Sequence, residues 1–183
     1  GEILRGVIEN GAAVEARVDI RRRAAIMRNH TATHLLHAAL RQSLGGSVRQ
    51  LGSMVAPDRL RFDYSFGRAL TAEELATVET AVNERIIQDL TVHKYVKKIA
   101  DAKKEGALAF FGDKYGETVR MIDVPDFSKE LCGGTHCDRT GEIGFFLITS
   151  ESSVASGVRR IEAVTGLEAL RHVRAMQGQL AEI

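Results

Sequence analysis

The sequence predicts an α+β domain in which helices pack on a largely antiparallel sheet. Two long segments, residues 21–44 and 71–89, repeat their buried-type side chains at steps of three and four, the period of a helix. Several shorter runs alternate or stay apolar between turn signals, as strands do. The two kinds of segment follow one another irregularly along 183 residues, enough chain for one domain with a real core.

Residues 4–8 and 14–20 read as two strands around Glu9-Asn10-Gly11, a hairpin turn signal. The first helix carries Ile26, His30, His34 and His37 on one face, with Leu36 and Leu40 on the adjoining one, and stops at Gly45-Gly46. Residues 47–55 and 60–64 form strands around a turn at Pro57-Asp58. Thr71 and Glu74 make a capping box for a helix built on Leu75, Val78, Val82, Ile86 and Leu90. A strand over 92–99, a short helix over 101–107, an apolar run ending at Gly112 and a strand over 118–124 follow. Strands over 145–150 and 158–164 close the sheet, and Gly166 introduces a helix on Leu167, Leu170, Val173 and Met176.

Composition excludes several classes. Hydrophobic residues are 44% and charged residues 27%, typical of a globular domain, and no apolar run approaches a membrane span. The first residues lack the order of a signal peptide, and they begin as though inside a domain, so a piece of a larger protein is expected. Cys132 and Cys137 lie in one loop, which argues against a disulfide framework and for a reducing cytosol. Net charge is +1, but basic residues cluster at Arg21-Arg22-Arg23 with Arg28, at Lys97-Lys98 with Lys103-Lys104, and at Arg159-Arg160. Each cluster taken alone reads as a solvated face; converging on one cleft they would hold a few phosphates.

Two doublets carry the chemistry. His30 and His34 lie four apart on the first helix, so both imidazoles share a face. Cys132 and His136 flank Gly133-Gly134-Thr135, where glycines free the backbone to bend and turn both side chains inward. Together they are a ligand set that suits zinc. His37 lies roughly 10 Å along the helix from His30, so one ion cannot bind both. Four protein ligands would favour a structural staple, and three with an open position would favour chemistry; the sequence leaves both open. HExxH, Walker A, GxGxxG and GxSxG patterns are all absent.

Residues 28–40 (Arg28-Asn29-His30-Thr31-Ala32-Thr33-His34-Leu35-Leu36-His37-Ala38-Ala39-Leu40), 131–136 (Leu131-Cys132-Gly133-Gly134-Thr135-His136) and 156–166, which include Ser156-Gly157-Val158-Arg159-Arg160, closely resemble the editing domain of bacterial alanyl-tRNA synthetase. The AlaX-type editing proteins and the editing domain of threonyl-tRNA synthetase are its relatives. The resemblance covers residues 14–166 and implies hydrolysis of tRNA(Ala) mischarged with serine or glycine. It implies Zn2+ held by His30, His34, Cys132 and His136, catalysis and serine recognition by Thr33 and Gln50, and contact between Arg159 and the tRNA end. It divides the chain into tail strands of a preceding small β-barrel (1–20), an editing domain (21–165) and the start of a helical region (166–183), with the remainder of the synthetase as partner and a cytoplasmic location. No aminoacylation motif is present, so this chain is not expected to charge tRNA.

Blander readings stand beside these. The Thr33 hydroxyl could bond back to the preceding turn, Gln50 could be a surface polar residue, Arg159 a strand-edge charge, and Cys137 a bystander thiol or a misligand. For the chain as a whole, the alternatives are a zinc-stapled, non-catalytic tRNA-binding module, a metal-dependent hydrolase of a small ester or amide, and a purely structural interaction domain.

Overall fold

The structure, a computed structural model, describes residues 2–3, 5–7, 9–109 and 116–181. Among the described residues, four helices, α1 (Ile20–Leu44), α2 (Ala72–Ile87), α3 (Ile99–Lys104) and α4 (Gly166–Ala181), accompany seven strands. These are β1 (Gln50–Val55), β2 (Leu60–Ser65), β3 (His93–Lys98), β4 (Thr118–Val124), β5 (Ser128–Leu131), β6 (Phe146–Ala155) and β7 (Val158–Thr165), and a 3-10 turn spans Thr140–Ile143. The α+β class is as predicted.

The strands form two sheets instead of one, a four-stranded sheet ordered β1-β2-β7-β6 and a three-stranded sheet ordered β3-β4-β5. Every pairing within them is antiparallel. Period-two burial sets the first sheet against the core: Leu60, Phe62 and Tyr64 alternate inward along β2 and meet Ala163, Ile161 and Arg159 of β7 in register.

Helix α1 lies between the sheets. It packs on β1, β2 and β7 of one and on β5 of the other, with α2 alongside. Residues 31–37 are buried on every side of the helix. Asp19 caps its start by accepting from the Arg22 N–H at 3.0 Å. Gly45, at φ 109, ends it by returning its N–H to Arg41. Asn29, 1% exposed, ties the helix to its surroundings. Its amide donates to the Ala56 carbonyl at 2.7 Å, and its oxygen accepts from the Thr165 hydroxyl at 2.7 Å.

The strand expected over 14–20 does not form. Leu4 and Ile8 lie outside the described residues. Among the described residues, none before Ile20 is in a strand, although Asn10 and Gly11 do turn, with the Ala12 N–H on the Glu9 carbonyl at 3.2 Å. Val14 and Val18 are 76% and 55% exposed, so a strand here would bury little apolar surface to offset its ordering entropy. The end of the apolar run at Gly112 also falls outside the described residues. The capping box is present: the Glu74 N–H reaches Thr71 Oγ1 at 3.2 Å, and the Thr71 N–H reaches Glu74 Oε2 at 2.9 Å. No helix among the described residues is long and apolar enough to cross a membrane.

Candidate metal centre

Helix α1 presents His30 and His34 one turn apart, with ring centroids 5.5 Å apart. The partner doublet arrives just after β5. That strand is held by β4, where Met121 opposes Leu131, and the Cys132 N–H extends the pairing to the Arg120 carbonyl at 3.0 Å. The loop that follows carries Cys132 and His136 back over the helix.

The glycines here act differently from the expectation. Neither Gly133 nor Gly134 has a left-handed φ. Gly133 faces open space, whereas a Cβ on Gly134 would lie 2.0 Å from His30 Cε1. Gly134 is required for room, because the loop backbone runs against the imidazole. The Arg120 guanidinium donates to the Gly134 carbonyl and holds the loop there.

The four side chains converge. Cys132 Sγ lies 3.4 Å from His30 Nε2 and 3.3 Å from His136 Nε2. The His136 ring centroid is 4.2 Å from that of His30 and 4.8 Å from that of His34. One donor atom from each of the four residues falls within 4.8 Å of every other. Tetrahedral zinc, with bonds of about 2.0–2.3 Å, places its donors roughly 3.3–3.8 Å apart. A further observation fits a cation: His34 Nε2 is buried with no hydrogen-bond partner, a state that is costly for a polar atom. His34 and His136 are buried while His30 and Cys132 are half-exposed, so one side of the cluster faces solvent.

The electrostatics at Cys132 and His136 suit a soft metal. Burial opposes a thiolate at Cys132, but hydrogen bonds from His136 and His30 and the nearby His34 imidazole outweigh it and bring the thiol down to about 3. Burial pushes His136 down to about 4, leaving it neutral and free to donate a lone pair. Burial also opposes charge on His34, yet Glu130 outweighs it and raises the imidazole above its ordinary value.

Around the four residues lie groups that sequence reading passed over. Glu130, 1% exposed, reaches His34 Nδ1 with one oxygen and His37 Nδ1 with the other, the second contact at 2.7 Å. His37 is therefore packed beside the cluster, with Phe62 at 5.4 Å on its other side. Thr31 Oγ1 sits 3.3 Å from His136 Nδ1 and accepts the Cys137 N–H at 3.0 Å. Cys137 is buried outside the cluster, and burial raises its thiol. The signal available for Thr31 was its place one residue after His30. None existed for Glu130, a charged residue in an unpredicted four-residue strand.

The remaining named residues are engaged locally. The Thr33 hydroxyl donates to the Asn29 carbonyl at 2.8 Å, the back-bonded arrangement, and keeps acceptor capacity. Gln50 Nε2 donates to Ser53 Oγ at 3.1 Å. Arg159 Nε donates to Glu151 Oε1 at 2.6 Å, with a second donor on the other oxygen. Tyr64 ties Gln50 and Arg159 together by register, since it opposes Gln50 on one side and Arg159 on the other.

The profile of the family described as "Threonyl and Alanyl tRNA synthetase second additional domain" matches residues 119–162. The alanine–tRNA ligase of Pelotomaculum thermopropionicum is 53% identical over 183 residues, covering 100% of this chain and 21% of the ligase. That of Acetivibrio thermocellus is 55% identical over 172 residues, covering 94% and 20%. That of Thermotoga maritima is 54% identical over 185 aligned residues, covering 100% and 21%. The chain thus spans about a fifth of the length of these curated relatives. Residues 119–162 thus carry the second additional domain of threonyl and alanyl tRNA synthetases, and the chain along its length corresponds to a region of bacterial alanine–tRNA ligases.

Proposed function

We propose that this chain removes serine, or glycine, from tRNA(Ala) by hydrolysing the aminoacyl ester, in the cytoplasm and alongside the remainder of the synthetase. The editing unit would be residues 21–165, following the end of a β-barrel subdomain (1–20) and preceding the start of a helical region (166–183). The observation that carries the reading is the convergence of His30, His34, Cys132 and His136 in a chain that aligns throughout with alanine–tRNA ligases.

Those four residues would hold Zn2+, which would supply Lewis-acid polarisation of a bound group where its coordination opens or expands to five. The other residues supply selection and orientation. Alanine and serine differ by one hydroxyl, and a pocket shaped for a methyl group rejects the added hydroxyl poorly. A site that hydrogen-bonds the hydroxyl discriminates by roughly 10⁴-fold. Thr33 has lone pairs to accept such a bond, and the Gln50 amide has both donor and acceptor atoms. Arg159, braced by Glu151, would face the tRNA end.

Deacylation of seryl-tRNA(Ala) and alanyl-tRNA(Ala), by the chain and by its Cys132→Ala variant, tests the reading. Cleavage of the seryl ester alone, lost with Cys132, is expected. A zinc-bound chain that cleaves neither ester overturns it. In that event the second reading takes over, and one observation already favours it. Four converging protein donors are the count of a closed structural site, so the metal would staple α1 to the loop after β5 in a non-catalytic tRNA-binding module.

A further inference from the structure

Glu130 is a fully buried carboxylate among apolar neighbours. On β4 and β5, Met121 and Ile122 are 0% and 2% exposed, and Leu131 is 5% exposed. A side chain needed only for packing would be apolar here, because burying a charge is costly unless it is paired and hydrogen-bonded. Its backbone is held on both sides. Ile122 of β4 opposes it across one edge, and Leu108 bridges it across the other. The flanking N–H groups of Leu108 and Leu131 close that second edge at 2.9 and 2.8 Å.

The spacing of strand against helix explains what this rigid placement achieves. Glu130 and Cys132 are two apart on one extended run, so they point to the same face, roughly 6.6 Å apart. His30 and His34 are four apart on α1, a rise of about 6 Å. The two steps match, and the segments run in opposite directions. Cys132 therefore meets His30 while Glu130 meets His34. An ionised carboxylate only accepts hydrogen bonds, so the His34 nitrogen that faces it must carry a proton. That leaves Nε2, the buried atom without a partner, turned to the other three donors.

We infer that Glu130 is a positioning residue of the metal centre, fixing the ring of His34 through Nδ1 so that Nε2 is the atom offered to the cation, with His37 locking the second carboxylate oxygen. The inference rests on the metal-binding part of the proposed function and is independent of ester cleavage. Removing such an outer partner of a ligating histidine weakens metal binding by roughly 10- to 100-fold.

Two measurements on the 183-residue chain test it. The first is zinc affinity by chelator competition for the wild type and Glu130→Gln, together with the visible spectrum of each after cobalt loading and the circular dichroism of each without metal. The expected result is a 10- to 100-fold weaker affinity and an altered cobalt spectrum, with the metal-free fold retained. An affinity within about twofold of wild type overturns the inference, and so does a loss that merely follows unfolding of the metal-free variant. The second needs no variant: nitrogen-15 chemical shifts of the zinc-loaded wild type read which nitrogen of His34 is protonated. A proton on Nδ1 supports the inference, and a metal on Nδ1 overturns it. A wild-type chain that binds no stoichiometric zinc overturns this inference and the metal centre together. Zinc binding that is equal in wild type and variant overturns this inference alone.

Discussion

Helices α1 and α2 lie side by side and obey different rules. α2 is a surface helix: Val78, Val82 and Ile86 bury one stripe, Thr71 and Glu74 close its start, and small, polar and charged residues make up most of its outer face. α1 is buried all round through its middle, and that middle holds His34 and His37 as well as Leu35 and Leu36. Among the described residues, only Asn83 and Glu79 of α2 bond a distant strand, the β6 backbone at Phe146 and Ile148, whereas the buried Asn29, Thr31, His34 and His37 of α1 all depend on remote partners. Glu130 serves His34 and His37, Thr165 serves Asn29, and Cys132 serves His30. A helix that leans on remote partners is where a site can be assembled, and where a single change does the most damage.

The comparison can be broken at several points, and the effects should fall in order. Stripping zinc from the loaded chain should lower its stability by about 4 kcal/mol relative to free zinc held 1,000-fold above Kd, read as a drop in melting temperature on adding chelator. Leu36→Ala, at a position with 0% exposure, should cost roughly 2–5 kcal/mol in denaturant unfolding. Gly134→Ala should act on the site more than on the fold. The added Cβ meets the His30 ring, so zinc affinity should fall by at least about tenfold, or ~1.4 kcal/mol, in a chelator titration. On the α2 side, Thr71→Ala removes one half of the capping box and should cost about 1 kcal/mol in denaturant unfolding while leaving zinc affinity unchanged.

The smallest effect concerns Glu74, which hydrogen bonds from Arg68 and from the Thr71 backbone hold down at about 2. Because its carboxyl is more acidic in the folded chain than the usual 4.5, its contribution is complete above that value and fades as the pH falls toward 2. Melting temperatures of the wild type and Glu74→Gln should differ slightly at neutral pH and converge in strong acid. A Glu74 effect as large as that of Leu36 would show that the surface helix is not the passive element described above.

The same contrast explains what could be read in advance. The limits of α2 and its capping box followed from local pattern, because a solvent-facing helix writes its environment into its own residues. The four converging donors were also legible, since helical spacing and a tight loop are short-range facts. Thr31 was overlooked in favour of Thr33 because which threonine reaches His136 depends on where a loop over a hundred residues away comes down. The strands expected before α1 were read from apolar alternation, which signals burial only where something is present to cover it.

By itself the sequence determined the α+β class, the start of α2 and the two doublets with zinc-ligand chemistry, because each rests on the periodicity of a few neighbouring residues. Only the tertiary structure decided that the strands divide into two sheets, that α1 lies between them, that Gly134 makes room for His30, and that Glu130 stands behind His34. These depend on chain segments far apart in sequence meeting at packing distance, and nothing in either segment alone records which partner it will find.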